Sequence, residues 1–182
     1  MKKILTVMAM GICIVGIFLI SYSTSEIWSQ KKQQQELLIE AKEQVLNSHS
    51  HQKSDALGIL SIPALQEELP IIEGANEDEL AKGVGHLSST GLPGEKKQIL
   101  LSGHRDTVFR KLGELKNGDS LEVKMQAGTY SYRINKTYIV DANDQSVLRS
   151  TYPTELLTLS TCYPFSYIGD APDRYIIEAV RE

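Results

Sequence analysis

A cysteine, a histidine and an arginine each stand at the end of an apolar run, where sites are commonly built at the rim of a sheet. Cys162 follows LLTL in the phrase TLSTCYPF, and Pro164 predicts that this strand ends just after it. His104 ends the run LLSGH, and Arg174 opens PDRYII. A thiol is a nucleophile, an imidazole is its usual acid or base, and a guanidinium can hold a carbonyl or a developing oxyanion. These residue types could form a nucleophilic site.

The spacing between the cysteine and the arginine favours this grouping. Twelve residues lead from Cys162 to Arg174, which suits a strand end, a loop and a returning strand, so we expect the two to lie side by side. Each residue also has a structural interpretation: the thiol could be buried and inert, the histidine structural, and the arginine paired with Asp170 or Asp173. A further histidine, His86, is predicted to lie in a loop and to be structural or at the pocket edge. From the residues alone, both interpretations remain open.

Composition removes several other roles for the thiol. The chain has 182 residues, which suggests one domain, and its net charge of −4 gives no indication of nucleic-acid binding. Its other cysteine, Cys13, lies within an apolar run, so Cys162 has no disulfide partner in the rest of the chain. A structural zinc site would need several Cys or His ligands at close spacing. Cys162 is therefore either a packed thiol or a reactive one.

The N-terminus predicts a membrane segment. After the basic start MKK, the run Ile4–Ile20 is almost wholly apolar and, at about 1.5 Å per residue, just long enough to cross a hydrocarbon layer of about 30 Å. Lysines before it favour an N-terminus inside and the rest of the chain outside. We favour an uncleaved anchor; the alternative is a cleaved signal, for which SYS is a poor cleavage site. The remaining chain is translocated in either case.

The amino-acid composition divides the chain into three parts. We expect residues 1–28 to form the cytoplasmic tip and the anchor, 29–55 a polar, partly helical extracellular stalk, and 56–182 the folded domain that carries the candidate site. Two histidines in the stalk, His49 and His51, could bind a metal weakly, but a polar linker is the favoured interpretation.

Residues 56–182 read as a mostly β domain. About eight short apolar runs are separated by turn residues, which favours an antiparallel or mixed β-barrel or sandwich. Asn76 is predicted to cap a short helix over Glu77–Lys82, ended by Gly83. The run QAGTYSYRINKTYIV is predicted to form two strands that break at Asn135.

Three separated phrases give the chain its resemblance to a known family. TLSTC at Thr158–Cys162 resembles the Thr-Leu-x-Thr-Cys motif of sortases, the membrane-anchored cysteine transpeptidases of Gram-positive bacteria. The resemblance runs from about Leu57 to Val180. Phrases typical of class D sortases occur at Gly103–Arg110 (GHRDTVFR), at Thr161–Phe165 (TCYPF) and at Ile168–Ile176 (IGDAPDRYI).

The resemblance implies an eight-stranded sortase-type β-barrel with one or two short helices, and it implies a chemistry. The Cys162 thiolate would attack the threonine carbonyl of a Leu-Pro-x-Thr-Gly-like sorting signal. His104 would protonate the departing amine and later help to deprotonate the incoming one. Arg174 would hold the substrate backbone or the oxyanion, and the amide of Tyr163 adds a second donor. Thr161 would support the pocket.

The same resemblance implies the weaker expectations. Asp106 and Asp173 would orient His104 or Arg174. The acceptor would be an amine of a peptidoglycan precursor, so that a surface protein becomes attached to the cell wall. The enzyme would be membrane-bound through its single N-terminal helix, with the catalytic domain extracellular. Neither a metal nor a cofactor is required by this scheme, and no nucleic acid is involved.

Three other functions remain alternatives. A pilin-polymerising sortase often carries a C-terminal membrane segment and an N-terminal lid with an Asp-Pro-aromatic plug, and the sequence shows neither feature. L,D-transpeptidases place their cysteine in a Ser-His-Gly-Cys-like phrase, which is absent. A non-catalytic β-domain that binds wall or peptide ligands would have an unreactive Cys162.

Overall fold

The computed structural model describes residues 2–46, 56–166 and 169–182, so the histidines predicted to lie in the stalk, His49 and His51, fall outside the described residues. Two α-helices, three single-turn 3-10 helices and eight strands occur in this part of the chain. The helices are α1 (Lys2–Leu46) and α2 (Glu77–Lys82). The strands are β1 (Ala56–Ile62), β2 (Glu67–Glu73), β3 (Val84–His86), β4 (Gln98–Ser102), β5 (Ser120–Met125), β6 (Gly128–Asp141), β7 (Leu156–Tyr163) and β8 (Asp173–Arg181).

The strands close into a single barrel in the order β1-β2-β3-β4-β7-β8-β6-β5. This confirms the predicted eight-stranded, mostly β fold. Strand β7 runs parallel to β4 and antiparallel to β8. Because parallel strands end at the same edge of a sheet and an antiparallel neighbour begins there, the ends of β4 and β7 meet the start of β8 at one rim.

Two apolar clusters occupy opposite faces of this part of the sheet. Leu157, Leu159 and Ile177 belong to the large cluster that fills the barrel, whereas Leu100 and Ile176 belong to a smaller one. Side chains alternate between faces along a strand. Cys162, Ser160 and Thr158 on β7 therefore lie on the face that carries the smaller cluster.

Two predicted local features are wrong. The run around Asn135 does not form two strands, because β6 continues from Gly128 to Asp141 and only its register to β8 shifts, between Ile134 and Lys136. The polar asparagine marks a bulge, at which one extra residue bends a strand without ending it. His86 is not a loop residue: it ends the short strand β3, which pairs with β2 through Glu73.

The predicted helix Glu77–Lys82 is confirmed as α2. Glu79 accepts a hydrogen bond from the amide of Asn76 at 3.1 Å, and Gly83 follows the last turn. Its three acidic residues in the first turn favour the positive end of the helix dipole.

Helix α1 joins the membrane segment and the stalk without a break as far as Leu46. It is long and apolar enough to cross a membrane, and its apolar residues from Met8 to Ile20 are exposed where the structure describes them. Its last turns pack on the barrel: Ala41 is fully buried against Ala56 and Ile59, and Lys42 pairs with Glu68 at 2.6 Å. The polar segment after the apolar run is therefore docked at its far end.

A buried carboxylate fixes the start of β7. The Glu155 oxygens accept hydrogen bonds from the Tyr132 hydroxyl at 2.7 Å, from the amides of Gly94 and Lys96 at 2.9 and 3.2 Å, and from Arg181 at 3.0 Å. Burial opposes ionisation of Glu155, but these donors outweigh it and hold its pKa below the usual range. Four donors from three segments, namely β6, β8 and the loop before β4, thus converge on one side chain.

Replacing this carboxylate tests its contribution to stability. We expect Glu155→Gln to lower the free energy of unfolding by about 2–3 kcal/mol, because an amide cannot satisfy four donors. Because the pKa is lower in the folded state, this stabilisation is present at neutral pH and is lost as pH falls through the folded-state pKa. Urea denaturation at several pH values measures it. In Glu182→Gln, which breaks an exposed pair with Arg133, we expect a loss below about 1 kcal/mol; equal losses in both variants would contradict this account.

Candidate active site

The pairing of β7 with β8 places the candidate nucleophile directly opposite the candidate arginine. Cys162 is the register partner of Arg174, and Tyr163 that of Asp173. This confirms the side-by-side placement that the spacing predicts. Cys162 and Arg174 are both half-buried. Facing positions of an antiparallel pair have Cβ atoms about 5 Å apart, so a thiol and a guanidinium can both reach one substrate carbonyl.

Backbone acceptors hold the arginine in place. Arg174 Nη1 donates to the carbonyl oxygens of Ala171 at 3.3 Å and Asp173 at 3.0 Å. Nε and Nη2 make no hydrogen bond with a described residue, so these donors are available to a ligand. We expected the carboxylate of Asp173 to orient Arg174, but in the structure Arg174 contacts the backbone carbonyl of Asp173.

The histidine is brought to the same rim by the pairing of β4 with β7. The Gly103 amide donates to the Ser160 carbonyl at 3.1 Å, and the Thr161 hydroxyl donates to the Gly103 carbonyl at 2.7 Å. Two bonds thus fasten the residue before His104 to β7 just before Cys162. His104 itself is half-buried and begins a tight turn, in which its carbonyl accepts from the Phe109 amide at 3.0 Å.

Glycine is required at position 103 by the packing of this turn. A Cβ atom there would lie 2.6 Å from Val108 Cγ2 and 2.7 Å from Phe109 Cδ2, both in well-buried side chains. Atoms in a packed core cannot approach so closely without displacing their neighbours. The turn that presents His104 therefore depends on the missing side chain.

An arginine that sequence reasoning missed joins the loops after the histidine and after the cysteine. Arg105 donates from Nη1 to the Pro164 carbonyl at 3.2 Å and from Nη2 to the Gly169 carbonyl at 2.8 Å. The phrase GHRDTVFR contains it, but its acceptors are backbone atoms, which no residue pattern reveals. Arg105 therefore holds the turn after His104 against the loop after Cys162.

Three aromatic rings pack beside the nucleophile. Tyr163 meets Phe165 edge to face at 5.7 Å between centroids and stacks on Tyr175 at 6.2 Å, and Phe165 meets Tyr175 at 5.3 Å. Each such pair adds about 0.5–1.5 kcal/mol beyond area burial. Tyr163, predicted as a supporting residue, therefore anchors the chain immediately after Cys162.

Two further predicted residues lie apart from these contacts. Asp106 is exposed in the turn after His104. His86 is buried, with its Nδ1 2.9 Å from Glu73 Oε2 and its Nε2 3.0 Å from the Gly91 carbonyl. These contacts favour the structural role, which was one of the two roles expected for it. Within the described ranges, no group of three or more His, Cys, Asp or Glu is arranged to hold a metal ion.

A groove, here called the strand-face groove, leads away from the arginine along the sheet. Its volume is about 350 Å³. Ser160, Arg174 and Ile176 form its floor at one end, and the segment 142–148 between β6 and β7 forms a wall. The wall contributes the polar Asn143, Asp144 and Gln145 as well as aliphatic residues, and the remaining lining is aliphatic: Leu87, Leu100 and Val140. The groove thus combines aliphatic side chains with polar ones, among them the guanidinium of Arg174.

The hydroxyl of Thr161 is predicted to position the histidine. Thr161→Val removes the bond to Gly103, and we expect kcat to fall about ten-fold, since small misplacements of catalytic groups are costly. Thr158→Val is the matched control, because that buried hydroxyl, also on β7, accepts from Gln98 at 3.0 Å. Both should lose about 1 kcal/mol of stability. Steady-state kinetics with thermal melts, and recovery of kcat in Thr161→Ser, separate positioning from stability. Equal kcat values in the two valine variants would refute the positioning role.

Comparison with known proteins connects this geometry with one family. The family model for the sortase domain matches residues 60–182. Sortase D of Bacillus subtilis (strain 168) is 51% identical over 134 residues, which is 74% of this chain and 68% of that protein. Sortase A of Bacillus anthracis is 26% identical over 129 residues, covering 69% of this chain and 59% of that protein.

Solved structures share the fold. A sortase D5 transpeptidase of Clostridium perfringens has a TM-score of 0.72 and 25% identity, covering 83% of this chain and 99% of that one. Sortase C of Streptococcus pneumoniae, described with pilin substrate specificity, has a TM-score of 0.66 and 27% identity, covering 72% of this chain and 68% of that one.

Proposed function

The chain belongs to the sortase family and is a class D-like cysteine transpeptidase, and from this premise we propose that it cleaves a Leu-Pro-x-Thr-Gly-like sorting signal after threonine and transfers the protein to an amine of a peptidoglycan precursor. The observation that carries the proposal is the facing pair Cys162 and Arg174, with His104 fastened to the same rim. The strand-face groove, which Arg174 lines, supplies a place for the signal peptide beside this pair.

The first half-reaction forms a thioester. The Cys162 sulfur attacks the threonine carbonyl carbon, a C–S bond forms, and the carbonyl oxygen becomes an oxyanion. Arg174 and the backbone amide of Tyr163 donate to that oxygen and stabilise the charge. As the oxyanion collapses, the C–N bond to the next residue breaks, and His104 gives its proton to the departing amine.

The second half-reaction releases the product. The acceptor amine attacks the thioester carbonyl carbon, the new C–N bond forms and the C–S bond breaks, so the thiolate returns to Cys162. His104, which lost its proton in the first half-reaction, now takes one from the attacking nitrogen. The histidine thereby returns to its starting state without an outside acid or base.

The strand-face groove suits the first residues of the signal. A peptide whose threonine carbonyl lies at Cys162 and Arg174 extends about 3.3 Å per residue along the groove. Leucine and proline side chains would then lie between the wall 142–148 and the aliphatic side chains of Leu87, Leu100 and Val140, where burial of apolar surface favours binding. The polar guanidinium at one end fixes the direction of the peptide.

The proposal includes the location of the enzyme. Helix α1 is long and apolar enough to anchor the chain, and the basic start of the sequence favours an N-terminus inside the cell. A single crossing then places the catalytic domain on the outer surface, where sorting signals and wall precursors are encountered. A pilin-polymerising role would change only the acceptor; the higher identity to a sortase D favours the wall precursor.

The two cysteines provide a matched test of the nucleophile. We expect Cys162→Ala to form no thioester with any Leu-Pro-x-Thr-x peptide, whereas Cys13→Ala retains full activity because that thiol lies in the exposed apolar part of α1. Mass spectrometry of acid-quenched reactions detects the adduct on the intact chain. Cleavage after threonine by the Cys162→Ala variant would exclude the covalent mechanism and favour a different site.

The groove is tested by placing a charge on its wall. Leu148→Asp is expected to raise KM for the signal peptide about ten-fold with little change in kcat, because the peptide loses apolar contact. Ile39→Asp is the matched control: Leu148 is 44% exposed and Ile39 59%, but Ile39 lies on α1 outside the groove. If both variants change KM equally, the signal peptide does not lie in this groove.

A further inference from the structure

A second cavity lies between helix α1 and the segments that follow His104 and Cys162. It measures about 790 Å³ and has no lining residue in common with the strand-face groove. One wall is helix α1; the others are the turn after His104 and the loop after Cys162. We call it the helix-side cleft, and it is lined by Gln30, Lys31, Gln34, Glu67, Ala81, Arg105, Asp106, Thr107, Val108, Arg110, Lys111, Phe165 and Ser166.

Its position relates it directly to the chemistry. Arg105 and Asp106 follow His104 immediately in the chain, and Phe165 is three residues beyond Cys162. A molecule in the cleft thus lies against the turn that begins at His104 and against the loop that follows Cys162. While the acyl part of the donor occupies the strand-face groove, the helix-side cleft remains free for a second reactant.

The charges of the cleft favour an anionic ligand that also carries an amine. Four cationic and two carboxylate side chains line it. Lys111 pairs with Glu67 at 3.0 Å, and Arg105 is held by backbone carbonyls. Lys31 on α1 and Arg110 on the opposite wall are both exposed, so a carboxylate between them gains two cationic neighbours. Asp106 can meet an ammonium group.

We propose that the helix-side cleft binds the acyl acceptor, and that this acceptor is a peptide whose reacting amine is accompanied by carboxylate groups. The inference rests on the proposed function and deepens it. Lys31 and Arg110 bind the carboxylates, which directs the amine toward the thioester on Cys162. The nitrogen then attacks, as in the second half-reaction, and gives its proton to His104. Helix α1 is therefore a wall of the acceptor site as well as an anchor.

The two consecutive lysines of α1 provide a matched pair of variants. Successive helical residues point about 100° apart. Lys31 lines the cleft, whereas its neighbour Lys32 does not, and forms an exposed i,i+4 pair with Glu36 at 3.8 Å. Lys31→Glu and Lys32→Glu make the same change of charge on the same helix, and Arg110→Glu tests the opposite wall.

The experiment uses the full chain in lipid nanodiscs, a Leu-Pro-x-Thr-Gly peptide, and two acceptors that share one ε-amine. Nα-acetyl-lysine carries a carboxylate and Nα-acetyl-lysinamide does not. For each variant, thioester formation and aminolysis are followed separately by quenched-flow mass spectrometry. The readout is the KM for each acceptor in aminolysis, compared with the rate of thioester formation in the same preparation.

We expect Lys31→Glu and Arg110→Glu each to raise KM for Nα-acetyl-lysine about five-fold, the size of an exposed charge interaction, and to change KM for the amide less than about two-fold. Lys32→Glu should change neither value. The preference for the carboxylate should also weaken as ionic strength rises to about 0.5 M, because salt screens exposed charges.

Two results would overturn the inference while leaving the proposed function intact. One is normal thioester formation with a KM for Nα-acetyl-lysine that Lys31→Glu changes no more than Lys32→Glu does. The other is an equal rise of KM for both acceptors, which would mean that the cleft does not recognise the carboxylate. Absence of a thioester with any sorting peptide in the unmodified chain would instead overturn the proposed function, and this inference with it.

Discussion

The register of one strand governs the site, because β7 pairs with both neighbours that supply its partners. Cys162 faces Arg174 across the β7–β8 ladder, and the Thr161 hydroxyl binds the Gly103 carbonyl at the end of β4. A slip of one residue would exchange the faces of β7 and turn the thiol toward the barrel interior. The geometry of the candidate site therefore depends on strand pairing as much as on the identity of the three side chains.

The opposite end of β7 shows how that register is maintained. Glu155 lies one residue before the strand and accepts hydrogen bonds from β6, from β8 and from the loop that precedes β4. A buried carboxylate tolerates little displacement, because each lost donor leaves its charge less compensated. The strand is thus held by a polar cluster at its start and by the Thr161 bond near its end. The apolar core between them contributes stability without specifying the register so narrowly.

The sequence was informative where chemistry and strand ends coincide, and less so where contacts are distant. Twelve residues between Cys162 and Arg174 sufficed to predict their pairing, and Asn76 to predict α2. Asn135 led to the wrong prediction of two strands, because a polar residue interrupts the apolar pattern equally at a bulge and at the end of a strand. The hydrogen bonds of Arg105 to the carbonyl oxygens of Pro164 and Gly169 could not be predicted, because every residue has a backbone carbonyl. The helix-side cleft requires α1 to lie beside the segments that follow His104 and Cys162, and the local sequence pattern does not predict that packing.

The continuity of α1 between its apolar run and its docked end has a mechanical consequence. From Ile20 to Ala41 the helix has a length of about 32 Å at 1.5 Å per residue, and an unbroken helix is stiff over such a distance. With α1 as the proposed membrane anchor, a barrel fixed to its end would stay at a nearly constant height above the membrane, with one rim facing a set direction. Reactants confined to the membrane surface would then meet the enzyme by diffusion in two dimensions. The fold would then set the height of the barrel and the direction in which its rim faces, whereas a flexible tether would fix neither.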